Sequence, residues 1–377
     1  MGIRMPNFFE FFSGGGMARL GLGDDWNCSF ANDICDKKVS TYVNNFGDDE
    51  VIKKDIYKLN ASFLPGKADL IWGSFPCQDL SLAGNGAGLS GERSGTFNKL
   101  MSIVKELKDE RRQPNIIVLE NVVGAITSHG GKDFEAIIES LASLGYYSGC
   151  LVVNGASFVP QSRPRLFIIA TKTPKTRFIG LTSKEASPAW HPTNLVKAHA
   201  SLPENLKKKW VWWSMPTPPE RDKDLIDIIE PNPTDVKELD KIEVNRLISM
   251  MSDTNLKKLY QAKKESKLMV GGLYKRIRQQ KNGEKLQRAE IRFDGTAGCL
   301  RTPTGGSSRQ TLILVENNNV RARLLSRREA ARLMGVPDNY KLPERYNDAY
   351  HVFGDGLVVP AVSWIEKNLL RPIQNIS

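Results

Sequence analysis

The chain has 377 residues, enough for two domains and a large core. Charged residues make up 25% of it, and 53 Lys+Arg against 42 Asp+Glu leave a net charge of +11, a globular composition with an excess that suits a polyanionic partner. Five cysteines without a CxxC pair and four scattered histidines argue against a zinc site and a disulfide framework, so no metal is expected. The start, Met1 to Asn7, lacks a signal-peptide core, and no apolar run is long enough to span a membrane, so the expected compartment is the cytoplasm.

In chain order, Phe8-Phe9-Glu10-Phe11-Phe12 reads as a first strand, followed by Ser13-Gly14-Gly15-Gly16 and a helical start at Met17. Strand, glycine turn and helix open a nucleotide-binding unit, because glycines let a ligand approach the backbone at a helix start. A dinucleotide fingerprint would need glycine where Arg19 stands, so a pyrophosphate cradle is not supported. A second strand, Cys28 to Ala31, ends in Asn32-Asp33, about 20 residues after the glycine turn, where an acid meets ribose hydroxyls in such folds. A third short unit puts Asp55 and Ile56 at another strand end. Asp69 to Trp72 reads as the end of a buried strand that runs into Gly73-Ser74-Phe75-Pro76-Cys77-Gln78. Alone, Cys77 reads as an inert packing residue; a thiol on a loop after a rigid strand is also where a reactive group belongs.

The glycine-rich stretch from Ala83 to Gly95 has the length of a lid, and Leu100, Ile103, Val104 and Leu107 then repeat at helical spacing. Ile116 to Leu119 predicts a buried parallel strand that delivers Glu120-Asn121-Val122 to the ligand crevice of an open α/β sheet. Phe134, Ile137, Ile138, Leu141 and Leu144 mark a helix stopped by Gly145, and Leu151–Val153 with Leu166–Ala170 complete the sheet. Between these last strands lies Gln161-Ser162-Arg163-Pro164-Arg165, whose two arginines suit a planar or anionic target. From about Thr171 the texture turns proline-, lysine- and tryptophan-rich. The basic run Lys275-Arg276-Ile277-Arg278 and Trp190, Trp210, Trp212 and Trp213 suggest aromatics interleaved with cations for nucleic acid. Ser326 to Glu329 has the form of a capping box opening a helix, and Gly354 to Pro360 reads as a turn before a last helix over 361–370. These tail elements are expected to fold back on the first domain.

Phe12 to Gly16, Pro76-Cys77-Gln78, Glu120-Asn121-Val122, the Gln161-to-Arg165 loop and the Arg323-to-Pro337 helix resemble, in order and spacing, the motifs of the DNA cytosine-5 methyltransferases. The likeness covers nearly the whole chain outside its middle. It departs at Gly16-Met17 and at Gly354-Asp355-Gly356-Leu357-Val358, where the family has a second glycine and Gly-Asn-Ala/Ser-Val-Pro. The resemblance implies an α/β fold: a Rossmann-like S-adenosylmethionine-dependent methyltransferase domain over 1–173 plus 320–377, with a smaller target-recognition domain over 174–319. It implies Cys77 as covalent catalyst, Glu120 as the acid at cytosine N3, Arg165 at O2 and Arg163 close by. It implies S-adenosylmethionine against Phe12, Ser13, Gly14, Gly15, Gly16, Asp33, Ile34, Asp55, Ile56, Pro76 and Asp355.

The residue types answer a chemical need. Cytosine C5 is too poor a nucleophile until a thiolate adds at C6, and a base inside a duplex is out of reach until it is flipped out. Double-stranded DNA is the expected partner, with no membrane and a monomeric enzyme. Whether a cognate restriction endonuclease, acting separately, accompanies it is not written in the chain. An RNA or tRNA cytosine-5 methyltransferase and a non-catalytic DNA-binding relative remain open readings. A dinucleotide-dependent oxidoreductase is disfavoured by Arg19.

Overall fold

The computed structural model describes residues 4–76, 95–279, 283–302 and 309–376. Two compact units emerge: residues 1–154, 164–218 and 359–377 form the first, and residues 155–163 and 219–358 the second. These bounds differ from the expected 1–173 plus 320–377 and 174–319. The segment from 174 to 218 joins the first unit, and 320–358 joins the second.

The first unit is built on a seven-stranded sheet. Its strands are β1 (Asn7–Phe11), β2 (Asn27–Asp33), β3 (Val51–Lys53), β4 (Leu70–Gly73), β5 (Ile116–Val122), β6 (Tyr147–Asn154) and β7 (Pro164–Thr171). They lie in the order β3-β2-β1-β4-β5-β7-β6. The first five run parallel, while β7 pairs antiparallel with both β5 and β6. Helices α1 (Met17–Leu22), α2 (Asp36–Phe46), α3 (Gly95–Asp109) and α4 (Lys132–Ser143) connect them. The chain order reverses between β1 and β4, and such a switch point opens a crevice outside the carboxyl ends of the strands. The register brings those ends level: Phe11 pairs with Asn32 and Gly73, and Gly73 with Leu119. Alternation in β1 sends Phe9 and Phe11 into the core formed with Ile71, Phe97, Leu119 and Ile138. Each fully buried aliphatic or aromatic side chain there is worth roughly 1.5–3 kcal/mol against exposure.

Beyond β7 the chain adds β8 (Thr182–Ser183), α5 (Thr193–Ala200), α6 (Glu204–Lys209) and β9 (Trp212–Trp213), with β8 pairing β9. The tryptophans of this stretch are not an exposed interleaved surface. Trp190, Trp210 and Trp213 are buried, and Trp212 packs against the core. Trp213 Nε1 donates to Ile169 O of β7 at 3.1 Å, and Trp190 Nε1 to Met215 O at 2.9 Å. An indole buried with its N–H paired is a core element.

The second unit holds α7 (Leu225–Ile228), α8 (Lys241–Ser249), α9 (Asp253–Lys264), β10 (Met269–Gln279), β11 (Lys285–Arg292), β12 (Thr311–Glu316), β13 (Asn319–Leu324), α10 (Arg327–Arg332) and α11 (Tyr346–Asp355). Its four strands form an antiparallel sheet in the order β11-β10-β12-β13. One face of that sheet buries Leu273, Ala289, Ile291 and Ile313 against Val244, Leu247 and Leu259 of α8 and α9. The capping box at α10 forms as its sequence demands: Ser326 Oγ accepts from Glu329 N at 3.1 Å, and Glu329 accepts from Ser326 N at 2.7 Å.

The expected turn at 354–360 is corrected in part, because Gly354 and Asp355 are the last two residues of α11. The chain then returns to the first unit with α12 (Val359–Ile365), which carries Pro360 in its first turn, and ends in α13 (Arg371–Ile376).

Candidate active site

The carboxyl ends of β1 to β5 carry most of the residues singled out by sequence. Leaving β1, Phe12 adopts φ 58, a left-handed conformation that non-glycine residues rarely adopt. Gly14 and Gly16 follow with φ 56 and 79. A Cβ on Gly16 would lie 2.3 Å from the Phe46 ring, whereas one on Gly14 would meet nothing within 4 Å. The turn is therefore closed towards α2 and open at Gly14. Gly15 is buried between them.

The turn is held from β2. Ser13 N donates to Asn32 O at 2.9 Å, and Gly14 N to Asp33 Oδ2 at 3.0 Å. Asp33 Oδ1 accepts from Cys35 N at 2.8 Å, which fixes the carboxylate. Each of its oxygens retains a lone pair for a ligand. Ile34, the next residue, is 66% exposed. At the end of β3, Asp55 Oδ1 accepts from Tyr57 N at 3.0 Å, while the Ile56 side chain is part of the core. Ser13 Oγ is buried with no hydrogen-bond partner. The groups gathered here are acceptors, and the Arg19 cation is turned to Tyr42 Oη at 2.9 Å and Glu50 at 3.3 Å. Such a set suits a ligand that donates hydrogen bonds through ribose hydroxyls, an exocyclic amine or an ammonium, and offers little to a pyrophosphate.

From β4 the chain passes buried Phe75 and half-buried Pro76. Cys77 lies outside the described residues. Asn121 Nδ2, at the end of β5, donates to Phe75 O at 3.3 Å and so holds the backbone that leaves β4. Beside Asn121, buried Glu120 pairs with Arg165 of β7, with Nε 3.1 Å from Oε1. The antiparallel register places Val122 opposite Arg165 and Glu120 opposite Phe167. An acid and a fork of N–H donors thus sit together at one strand end.

Two expected site residues belong to the second unit. Arg163 is 2% exposed. Its Nη1 donates to Leu300 O at 2.8 Å, and its Nη2 to Gly354 O and Gly356 O at 2.8 and 2.7 Å. The guanidinium of this arginine, expected close to the site, is thus engaged with backbone carbonyls. Asp355 is an exposed residue at the end of α11, in the second unit.

Sequence reasoning assigned no role to Glu10 or to the Asn121 tether. The signal for Glu10 was present: one acid in a strand of phenylalanines. Among the described residues, no group of three His, Cys, Asp or Glu is placed to hold a metal ion, and no helix is long and apolar enough to cross a membrane. In the second unit, the outer halves of β10 and β11 form a two-stranded ribbon exposed along Lys275 to Gln279 and Lys285 to Gln287.

Comparison with known proteins places this geometry in a family context. The family model for C-5 cytosine-specific DNA methylases matches residues 6–371. The chain is 26% identical to the Type II methyltransferase M1.ScrFI of Lactococcus lactis subsp. cremoris, over 97% of this chain and 78% of that one. It is 27% identical to the Type II methyltransferase M.BsuFI of Bacillus subtilis, over 99% and 75%. The crystal structure of S. pombe Dnmt2 methyltransferase shares the fold with a TM-score of 0.56 at 17% identity, covering 98% of this chain and 99% of that one.

Proposed function

Because the chain belongs to the family of C-5 cytosine-specific DNA methylases and is a DNA cytosine-5 methyltransferase, we propose that it methylates one cytosine within a specific duplex sequence, with S-adenosylmethionine as donor and Cys77 as covalent catalyst. The observation that carries this reading is the convergence of the Ser13–Gly16 turn, Asp33, Phe75–Pro76 and the Glu120–Arg165 pair at the carboxyl edge of one sheet.

When bound, S-adenosylmethionine supplies an electrophilic methyl group on its sulfonium. The chain's own residues prepare the acceptor. The Cys77 thiolate adds to C6 of a flipped cytosine while Glu120 gives its proton to N3 and Arg165 donates a hydrogen bond to O2, so the charge pushed onto the ring is neutralised. C5 becomes enamine-like and nucleophilic. Once C5 is methylated, water takes the C5 proton as the C6–S bond breaks, and Glu120 takes back the proton from N3, which restores the ring and the Cys77 thiolate. Asp33 and Asp55 serve the adenosine, Ser13 and the open face at Gly14 the methionine end, and exposed Ile34 offers an apolar contact for the base. Arg163 acts as a clamp on the 300 and 354–356 backbone.

The second unit reads the target. Its exposed ribbon presents Lys275, Arg276, Arg278 and Lys285, with Ile277 at 67% exposure, a shape and charge that fit a DNA groove. The roles given to the two units, a monomeric enzyme of the cytoplasm and a restriction endonuclease acting on the same site are parts of this proposal. The test is methyl transfer to duplex DNA and to tRNA, with methylated cytosines mapped in a plasmid carried alongside the gene. Duplex DNA methylated at one recurrent sequence, with tRNA untouched, is the expected result; methyl transfer to tRNA alone overturns it.

A further inference from the structure

Residues alternate between the two faces of a strand, and directly opposed residues of an antiparallel pair share a face. On the β10–β11 ribbon this puts Tyr274, Arg276 and Arg278 on one face, opposite Glu290, Arg288 and Leu286 in that order. The other face carries Leu273 and Ile291 into the core of the second unit. Arg276 and Arg288 are directly opposed, and Arg278 follows on the same face, so three like charges repel one another there. One carboxylate answers two of them. Glu290 Oε1 accepts from Arg278 Nε at 2.5 Å, and Arg276 Nη1 lies 3.5 Å from Oε2. The Arg276 guanidinium also stands 5.4 Å over the Tyr274 ring. Both arginine side chains are about half exposed, and Glu290 is more covered than either. The Arg278 hydrogen bond holds the Glu290 carboxyl below its ordinary range, so it is charged at neutral pH.

A carboxylate in that place opposes the task proposed for the ribbon. It repels every phosphate that approaches, whatever the sequence, and it occupies two arginines that would neutralise phosphates. Exposed ion pairs add little to stability, so holding the fold is a weak reason for it. In a DNA groove a carboxylate has another use: it accepts a hydrogen bond from the exocyclic amine of a base, which no phosphate can offer. We propose, on the DNA-reading role given above to the second unit, that Glu290 is a specificity-determining residue: it engages Arg276 and Arg278 away from non-target duplex and releases them to phosphates where a base amine replaces them as its donor. On a non-target sequence the released carboxylate would face the groove without a donor, so the arginines stay on Glu290 and binding stays weak. On the target, one amine satisfies Glu290 and both arginines become available to the backbone. Discrimination then comes from a penalty on wrong sequences as well as from a contact with the right one.

The experiment measures Kd of the full chain by fluorescence anisotropy at several salt concentrations. One duplex carries the sequence mapped in the plasmid, and a second of the same composition has that sequence shuffled. Wild type is compared with Glu290→Gln, Glu290→Ala, Arg276→Ala and Arg278→Ala, and urea midpoints check folding. Both Glu290 variants should bind the shuffled duplex roughly fivefold more tightly, with a salt slope steeper by about one. The ratio of target to shuffled affinity should fall roughly tenfold, the scale of one lost base contact. An unchanged ratio, while the arginine variants weaken binding, overturns the inference. So does weaker binding of both duplexes together with a lower urea midpoint, the result expected if Glu290 only props the ribbon. If the arginine variants bind both duplexes as wild type does, it is the DNA-reading role of the ribbon that fails.

Discussion

At the scale of single residues, the proposed role of Glu120 is to bring a proton to N3. Its carboxylate is buried against Arg165 at 3.1 Å, on two paired strands that fix both side chains. A short duplex with 5-fluorocytosine at the target base separates the catalytic roles. Cys77 should add at C6 and C5 should be methylated, but release requires a proton to leave C5, and fluorine cannot leave as a cation. An adduct stable to denaturing electrophoresis is expected with wild type and S-adenosylmethionine, and none with Cys77→Ser. Glu120→Gln should form it far more slowly, since an amide is a poorer proton donor to N3. Adduct formation by Cys77→Ser at the wild-type rate removes the thiol from the mechanism. The positions of Asp33, the last residue of β2, and Glu120, within β5, were legible because the apolar runs of those strands are themselves legible. Arg163 was not, because its partners lie at Leu300, Gly354 and Gly356, and no local pattern announces which carbonyls a distant arginine meets. The same holds for Ile56, whose packing in the core is a tertiary fact.

At the scale of elements, the glycine turn depends on α1, and α1 depends on the chain's far end. Gly21 of α1 faces α12 so closely that a Cβ would lie 2.4 Å from Val362 Cβ. Ser363 Oγ donates to Gly21 O at 2.9 Å across the same seam. Helix propensity alone favours Gly21→Ala by about 1 kcal/mol, but overpacking costs about 1–3 kcal/mol, so the substitution should destabilise the protein. Adding Val362→Ala opens room beside Gly21, and the double variant should lose less than the two single losses combined, as urea midpoints will show. Strict additivity would mean that the two helices are not packed as described. The expected fold-back of the tail elements on the first domain is met only by residues 359–376, since α10 and residues 354–358 belong to the second unit. The strands at 70–73, 116–119 and 166–170 were readable because buried strands are continuous apolar runs, and the Ser326 capping box because all its parts lie within one turn. The six-residue α1 was readable only through its glycine turn.

At the scale of the whole molecule, the division of labour between units is a question of where the chain is cut. Residues 174–218 carried the expectation of nucleic-acid contacts on the strength of their tryptophans. Yet Trp213 is 0% exposed, Val152 N donates to Trp190 O at 2.8 Å, and Val211 N donates to Ser148 O at 2.9 Å, so this segment is a lining of β6 and β7. Composition records that a tryptophan is present and not which surface covers it, which is why the expected boundary at 174 differs from the edge of the compact unit at 218. Two exchanges with a relative of different target sequence follow. Replacing 155–163 and 219–358 together transfers one compact unit with its own sheet, its own core and the Arg163 clamp. That chimaera should keep methyl transfer and move it to the relative's sequence, because base contacts specify while phosphate contacts only position. Replacing 174–319 instead brings indoles never fitted to this β6 and parts β12 from its hairpin partner β13, and so should unfold at lower urea. Methylated cytosines mapped in a plasmid read the first outcome, and an active chimaera that keeps the original target refutes the recognition role of the second unit. Within that unit, Arg276→Ala and Arg278→Ala on the exposed ribbon should weaken duplex binding and lower its salt slope by about one for each phosphate no longer neutralised. An unchanged slope would take the ribbon out of the DNA interface while leaving the unit's role to the exchange experiment.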